Sequence, residues 1–181
     1  TNVETETLLE QWAEPLDAWA WSLGEKPNHG LIWQAWKYTL QCHPHDSICG
    51  CGIDAIHDEM MGRFASAQLL GDSILRNDLC MIASRIDLDN DDYAIVVFNP
   101  LNWNRTDVVK TTIFARKSTD EFDLIDSDDK PVEFGILNER AIGRVYSAEY
   151  HEQVFDISFL AEEVPACEYK TYRIKRLTNE E

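Results

Sequence analysis

The chain has no apolar run approaching the roughly 18 residues that a membrane helix needs, and no basic leader ahead of an apolar segment. Neither a membrane span nor a signal peptide is therefore expected. Basic residues are scarce: 16 Lys and Arg stand against 33 Asp and Glu, for a formal net charge of −17. Holding a polyanion takes clustered cations, so no nucleic-acid partner is expected. There is no internal repeat, no low-complexity linker and no H-E-x-x-H metalloprotease motif, since His57 is followed four residues on by Met61. The cysteines number five, an odd count without framework-like spacing. That points to reduced thiols and a cytoplasmic setting. What is present is 181 residues, 44% of them hydrophobic, enough for one domain or two small ones with real cores.

In chain order, Leu8, Leu9, Trp12, Leu16, Trp19, Ala20 and Leu23 recur near a 3.6 period, predicting a helix that Pro15 should kink or restart. A loop follows over 24–30. A second helix from Leu31 to about His43 carries Leu31, Ile32, Trp36 and Leu40, with Trp33 and Tyr38 beside them. A third, from about Ile53 to Ile86, carries Ile53, Ile56, Met60, Phe64, Ala67, Leu70, Ile74, Leu79 and Ile82 at spacings mostly of three and four. Composition then changes at Ile86-Asp87-Leu88-Asp89-Asn90-Asp91-Asp92. Beyond it, strands are predicted at Tyr93–Phe98, Asp107–Phe114, Phe122–Asp126, Val132–Ile136, Arg144–Tyr150, Val154–Ala161 and Cys167–Ile174, with a turn at Ser127-Asp128-Asp129-Lys130. The fold expected is α+β: a three-helix bundle over 1–88, then an antiparallel β-sandwich-like domain over 89–181.

The chemistry-bearing stretch is Cys42-His43-Pro44-His45-Asp46-Ser47-Ile48-Cys49-Gly50-Cys51-Gly52, between the second and third helical patterns. Pro44 should end the helix before it near His43. Asp46 and Ser47 are turn and N-cap types, Gly50 and Gly52 permit positive φ, and Asp54 is a candidate cap for the next helix. His45 and Asp46 thus fall on a corner from which side chains can project as ligands. The same residues also serve a plainly structural corner, with the histidine satisfied by a carbonyl. His43 is a second candidate ligand, or a residue that faces the helices and supports the corner. Cys49-Gly50-Cys51 is half of a structural zinc site at most, and buried thiols packing under the turn are expected instead. Asp87, Asp89 and Asp91 have the first three spacings of a calcium loop, but Asp92 replaces its glycine and Phe98 its glutamate, so a solvated loop is the better reading. Trp12, Trp19, Trp21, Trp33 and Trp36 lie at helical spacing and are mostly expected in the core; Trp103 is expected to pack in the β-rich half.

The run His43 to Cys51, followed by Asp54, Ile56-His57-Asp58-Glu59-Met60 and Arg63, closely resembles the middle region of glycoside hydrolase family 38 α-mannosidases of the bacterial type. Upstream, Asn2 to Glu6 and Ala13-Glu14-Pro15-Leu16 resemble the entry to that family's helical domain. Downstream, Val97-Phe98-Asn99-Pro100-Leu101-Asn102-Trp103 and Val164 to Arg173 resemble its β-domain. Cys42 and Gly52 depart from the pattern, which has Asn and Ser more often there. The resemblance implies a fragment of a zinc-dependent retaining enzyme acting on terminal α-mannosides. A covalent glycosyl intermediate forms on one carboxylate while a second acts as acid and base, and the metal orients the sugar hydroxyls. By resemblance His45 is one ligand of a single zinc ion shared with an N-terminal barrel, and Asp46 the carboxylate that hydrogen-bonds substrate hydroxyls. Nucleophile and general acid are expected on that barrel, so no catalytic residue is assigned here and the chain alone should be inactive. The partners implied are an α-mannoside and the barrel, with self-association left open. A mannosylglycerate hydrolase shares the same corner; a noncatalytic carbohydrate-binding or structural module is the other alternative.

Overall fold

A computed structural model describes residues 1–88, 93–115, 122–143 and 151–176. The chain is α+β and divides into two compact units, Thr1–Ile86 and Asp87–Glu181. The strand expected at Arg144–Tyr150 lies outside the described residues.

The helical unit opens with α1 (Asn2–Glu6), a π-helical segment (Thr7–Ala13) and α2 (Glu14–Ser22). Pro15 does not break this helix. Its ring cannot donate to the Gln11 carbonyl and presses on it, and the wider i→i+5 turn just before it gives room. Right-handed helical dihedrals continue through Ala13 (φ −63°, ψ −49°) and Glu14 (φ −64°, ψ −48°). The helix stops at Gly24, whose φ of +97° a Cβ would disfavour. There the Gly24 amide donates to the Trp21 carbonyl and the Glu25 amide to the Ala20 carbonyl.

Next come α3 (His29–Leu40), a four-residue α4 (His45–Ile48) and the 30-residue α5 (Asp54–Ala83). In α3 the buried face is Ala35 and Thr39, with Ile32 and Trp36 half-buried, whereas the expected stripe members Leu31 and Leu40 are exposed. Thr39 tolerates burial because its hydroxyl donates to the Ala35 carbonyl at 3.1 Å. In α5 the buried residues Met60, Phe64, Ala67, Gly71, Ile74, Asp78 and Ile82 hold the helical period, but Ile53 and Ile56 at its start are exposed. Leu9, Ala13, Ala35, Ala67 and Ile74 form one apolar cluster drawn from the π segment, α3 and α5. At Gly71 the helices approach so closely that a Cβ would meet Leu8 Cδ2 at 2.9 Å and Leu9 Cδ2 at 3.0 Å.

One carboxylate is buried at the far end of α5. Asp78 is 6% exposed and its Oδ2 has no hydrogen-bond partner. Burial, then the negative charges of Asp17 and Glu25, push its pKa up to about 6. Asp17 accepts hydrogen bonds from the Asn28 amide and Nδ2, and Glu25 pairs with Arg85 at 2.5 Å.

The second unit holds two antiparallel sheets. The strands are β1 (Tyr93–Asn99), β2 (Arg105–Ala115), β3 (Phe122–Ile125), β4 (Pro131–Val132), β5 (Phe134–Gly143), β6 (His151–Val164) and β7 (Glu168–Arg176). One sheet has the order β1-β7-β3-β4 and the other β2-β6-β5. Both contribute to one core: Leu124 and Tyr172 from the first, and Ile113, Phe155, Ile157, Phe159 and Ala161 from the second. The alternating inward residues of β6 show the period of two that a one-sided core demands. Phe159 meets Tyr172 edge-on with ring centroids 4.8 Å apart. Buried Asn99 ties strand ends together, its Nδ2 donating towards the Trp103, Val164 and Pro165 carbonyls. The turn at Ser127–Lys130 is organised by Asp126, whose Oδ1 accepts from the Asp128 and Lys130 amides.

Two stability outcomes follow from the helical unit. Gly71→Ala should lower the denaturation midpoint, because displacing Leu8 and Leu9 costs about 1–3 kcal/mol against the helix-propensity gain of about 1 kcal/mol. Asp78 has a folded pKa above its ordinary value of 3.8, so its favourable contribution is complete below about pH 4 and is lost as pH rises through 6. Asp78→Asn should therefore match the parent near pH 4 and exceed it above pH 7 by on the order of 2 kcal/mol, read from urea unfolding across pH.

Candidate functional site

The junction between α3 and α5 is built by successive backbone hydrogen bonds. After Leu40 the chain tightens: the Cys42 amide donates to the Thr39 carbonyl and the His43 amide to the Leu40 carbonyl. Pro44 then takes an extended conformation (φ −50°, ψ 144°) in the N-cap position of α4. Its carbonyl accepts from the Ser47 and Ile48 amides at 2.9 and 3.0 Å. Asp46 sits inside the first turn of α4, and Ile53, not Asp54, stands in the N-cap position of α5. Asp54 occupies the first turn, where a carboxylate suits the helix dipole. Of the two glycines, only Gly50 uses a positive φ, +74°.

This framework separates the two histidines. His43 is half-buried, with Nε2 2.9 Å from Asn2 Oδ1 and 3.3 Å from Glu6 Oε1, so it faces α1. The His45 side chain is 91% exposed and that of Asp46 71%, with His45 Nε2 3.1 Å from Asp46 Oδ1. In the neutral ring with Nε2–H donating to Asp46, the lone pair is on Nδ1. A metal on Nε2 requires Asp46 to release the ring, freeing its carboxylate for another donor. Among the described residues, no three His, Cys, Asp or Glu side chains converge as a metal set. A zinc ion needs three or more protein ligands, so this corner fits as a donor of one imidazole and an adjacent acceptor.

The thiols are distributed differently from the expectation. Cys49 and Cys51 flank Gly50 on the turn after α4, a helix with no buried residue; both are exposed, and their sulphurs are 3.4 Å apart. The buried thiol is Cys42, against the Tyr38 and Met60 carbonyls. Burial raises its pKa, with Arg63 opposing. Arg63 also pairs with Glu59 at 2.5 Å.

Other candidates do not join the corner. Asp89, Asp91 and Asp92 of the aspartate run lie outside the described residues. Trp12, Trp19 and Trp36 are half-buried, and Trp36 Nε1 donates to Glu14 Oε1. Trp21, Trp33 and Trp103, however, are 57%, 63% and 57% exposed. The tryptophans are expected mostly in the core and Trp103 in β-domain packing; instead Trp33 falls on the side of α3 away from Ala35 and Thr39, Trp21 lies beside the buried face of α2 near its end, and Trp103 sits in the exposed turn after β1. A cleft of about 500 Å³ in the β unit, beside Asp126, Lys130, Glu162, Lys170 and Tyr172, had no signal in the sequence, since its residues are scattered over three strands and a turn.

No family model matches the chain. A protein in glycosyl hydrolase family 38 from Enterococcus faecalis superposes with a TM-score of 0.82 at 25% identity, over 98% of this chain and 24% of that one. The likeness is to family 38. An α-mannosidase from Enterococcus faecalis gives a TM-score of 0.79, again at 25% identity, over 96% of this chain and 22% of that one. A curated relative from Halalkalibacterium halodurans, named "Putative mannosylglycerate hydrolase", is 37% identical over 71 residues, 39% of this chain and 8% of its own length. This chain therefore spans less than a quarter of the family 38 structures it matches and a smaller share of the curated relative. Among the described residues no helix is long and apolar enough to cross a membrane.

The burial pattern predicts a reactivity order. In the folded chain an alkylating reagent should label Cys49, Cys51, Cys80 and Cys167, which are exposed, well before Cys42, which is not. Peptide mass mapping against time reads this, and Cys42 should join the others only in denaturant.

Proposed function

We propose that this chain is the central portion of a zinc-dependent retaining α-mannosidase of the family 38 type. In this reading its helical unit is the enzyme's three-helix bundle and its β unit the start of the C-terminal β-sandwich region. His45 supplies one ligand of a zinc ion whose other holders lie on an N-terminal barrel, and Asp46 binds substrate hydroxyls. The observation that carries it is the pair of exposed side chains, His45 and Asp46, on a corner where the amides from Ser47 to Cys51 each donate to a backbone carbonyl. It is joined by a family likeness that runs over 98% of the chain. Ile48, Ile53 and Ile56 at the same junction are also exposed, as apolar residues are where a surface is covered by another part of a protein. A cytoplasmic setting fits the five free thiols.

The bound metal would orient the sugar's hydroxyls and stabilise charge as the ring distorts. The residues of this chain do narrower work. The backbone of α4 holds the His45 ring outward, since the His45 carbonyl accepts from the Cys49 amide and the Asp46 carbonyl from the Cys51 amide. Asp46, as a carboxylate, accepts a hydrogen bond from a sugar hydroxyl, a charge-assisted contact about twice as strong as a neutral one. No nucleophile or proton donor is assigned to it or to any other residue here. The curated relative supports mannosylglycerate as the substrate within this class, and the structural neighbour a broader α-mannoside.

The 181-residue chain alone should not hydrolyse an aryl α-mannoside. Combined with a separately expressed family 38 N-terminal barrel, it should restore zinc-dependent hydrolysis. In that complex His45→Ala should cost at least about 100-fold in kcat/KM together with bound zinc, the upper range for disturbing a metal's surroundings. Asp46→Asn should act mainly on KM. Hydrolysis and zinc content unchanged by His45→Ala would overturn the role, and comparing mannosylglycerate with an aryl mannoside separates the two substrate readings.

A further inference from the structure

The feature that the mannosidase reading does not use is the thiol pair on the outer turn after α4. Cys49 and Cys51 are both exposed, and their sulphurs stand 3.4 Å apart. A disulfide bond is about 2.05 Å long, so closure needs the sulphurs to approach by roughly a further 1.4 Å. Nothing is packed over Gly50, where even an added Cβ would meet no atom within 4 Å. Its φ of +74° already places the two flanking side chains on one side of the turn. The remaining three thiols have other surroundings: Cys42 is buried against α5, Cys80 is exposed near the far end of α5, and Cys167 bonds to the Leu101 carbonyl at 3.6 Å.

We propose that Cys49 and Cys51 form a reversible dithiol–disulfide site that exchanges with low-molecular-weight disulfides such as glutathione disulfide. The thiolate of one cysteine attacks the small disulfide, forming a protein–glutathione mixed disulfide and expelling one glutathione thiolate. The second cysteine, losing its proton, attacks the protein sulphur of that mixed disulfide and expels the second glutathione. Two electrons pass from the cysteine pair to the small disulfide, and the two thiol protons end on the two glutathione molecules released. The ring closed this way contains a single intervening residue and lies on the surface. Short, exposed disulfides of this kind have the more oxidising potentials and are the labile ones, so the bond reopens when reduced thiol is in excess. Closure also bears on the corner beneath it, since the Cys49 and Cys51 amides are the donors to the His45 and Asp46 carbonyls.

The test treats the folded 181-residue chain with glutathione disulfide, quenches with acid and maps the peptides by mass. The expected result is the loss of two hydrogens from the peptide holding both cysteines, with no glutathione retained, and full reversal by reduced glutathione. Cys49→Ser and Cys51→Ser should each instead accumulate a glutathione adduct on the cysteine left behind, with the second release lost. Circular dichroism on each variant shows that it is folded. Stable adducts on both Cys49 and Cys51 of the parent chain, dimers whose linking disulfide maps to either of them, or no reaction at either would each overturn the proposal.

Discussion

A proline between two packed helices governs the helical unit's exposed corner. Had the residue at 44 been able to continue α3, the buried line through Ala35, Thr39 and Cys42 would have carried the following side chains along the same helical cylinder. Pro44 cannot take the helical conformation with the preceding turn intact, so the chain leaves α3 extended and restarts in a helix only four residues long. That restart gives His45 and Asp46 a defined backbone without giving them a packing partner. His43, one residue before the break, is still directed at α1 and spends its ring nitrogen on Asn2 and Glu6. Two histidines two residues apart in sequence thus have opposite environments, and the difference is the missing amide of the residue between them.

Much of this was legible in the residues. Pro44 located the corner and Gly50 its positive-φ turn, because these types act through their own backbone preferences, whereas Gly52 takes no positive φ and Asp46 and Asp54 fall inside first turns instead of capping them. The long period of α5 was legible for a different reason, the recurrence of apolar residues every three or four positions on one face, with Met60, Phe64, Ala67, Ile74 and Ile82 buried as the spacing requires. The ends of elements were less so. Ile53 and Ile56 continue the apolar stripe of α5 on paper, but α5 starts beyond the reach of the helices it packs on, and both are exposed. Leu31 and Leu40 fail similarly: α3 buries Ala35 and Thr39, small residues that allow close approach, and hydrophobicity alone ranks the leucines above them. The exposure of Cys49 and Cys51 was not legible either, since α4 is too short to show an apolar period and buries none of its residues.

Buried polar groups show a second rule, which composition cannot reveal. Asn99 is buried because one side chain bonds to three carbonyls at the meeting of a strand end and a turn. Asp17 is buried because it ties α2 to the loop before α3 through Asn28. Asp78 has neither compensation, and its neighbours Asp17 and Glu25 carry the same sign of charge. A carboxyl in that position is favoured by burial to keep its proton. The strain falls on the end of α5 remote in sequence from the His45 corner, so it can vary with pH without altering that corner's hydrogen bonds.

The mannosidase reading makes a demand on the corner that stability does not. One imidazole in water holds zinc weakly, because each added ligand on a rigid frame contributes affinity only after the entropy of assembling the frame has been met. An exposed histidine on a flexible loop would offer little to a metal held elsewhere, since the loop would have to be ordered at the moment of binding. The successive backbone bonds from Pro44 to Cys51 meet that ordering cost during folding of the helical unit, before any partner arrives. On that reading the corner's usefulness lies in a frame fixed by the bonds from the Ser47–Cys51 amides to the Pro44–Ser47 carbonyls, with the His45 ring and Asp46 carboxylate left where an incoming metal and sugar can compete for them.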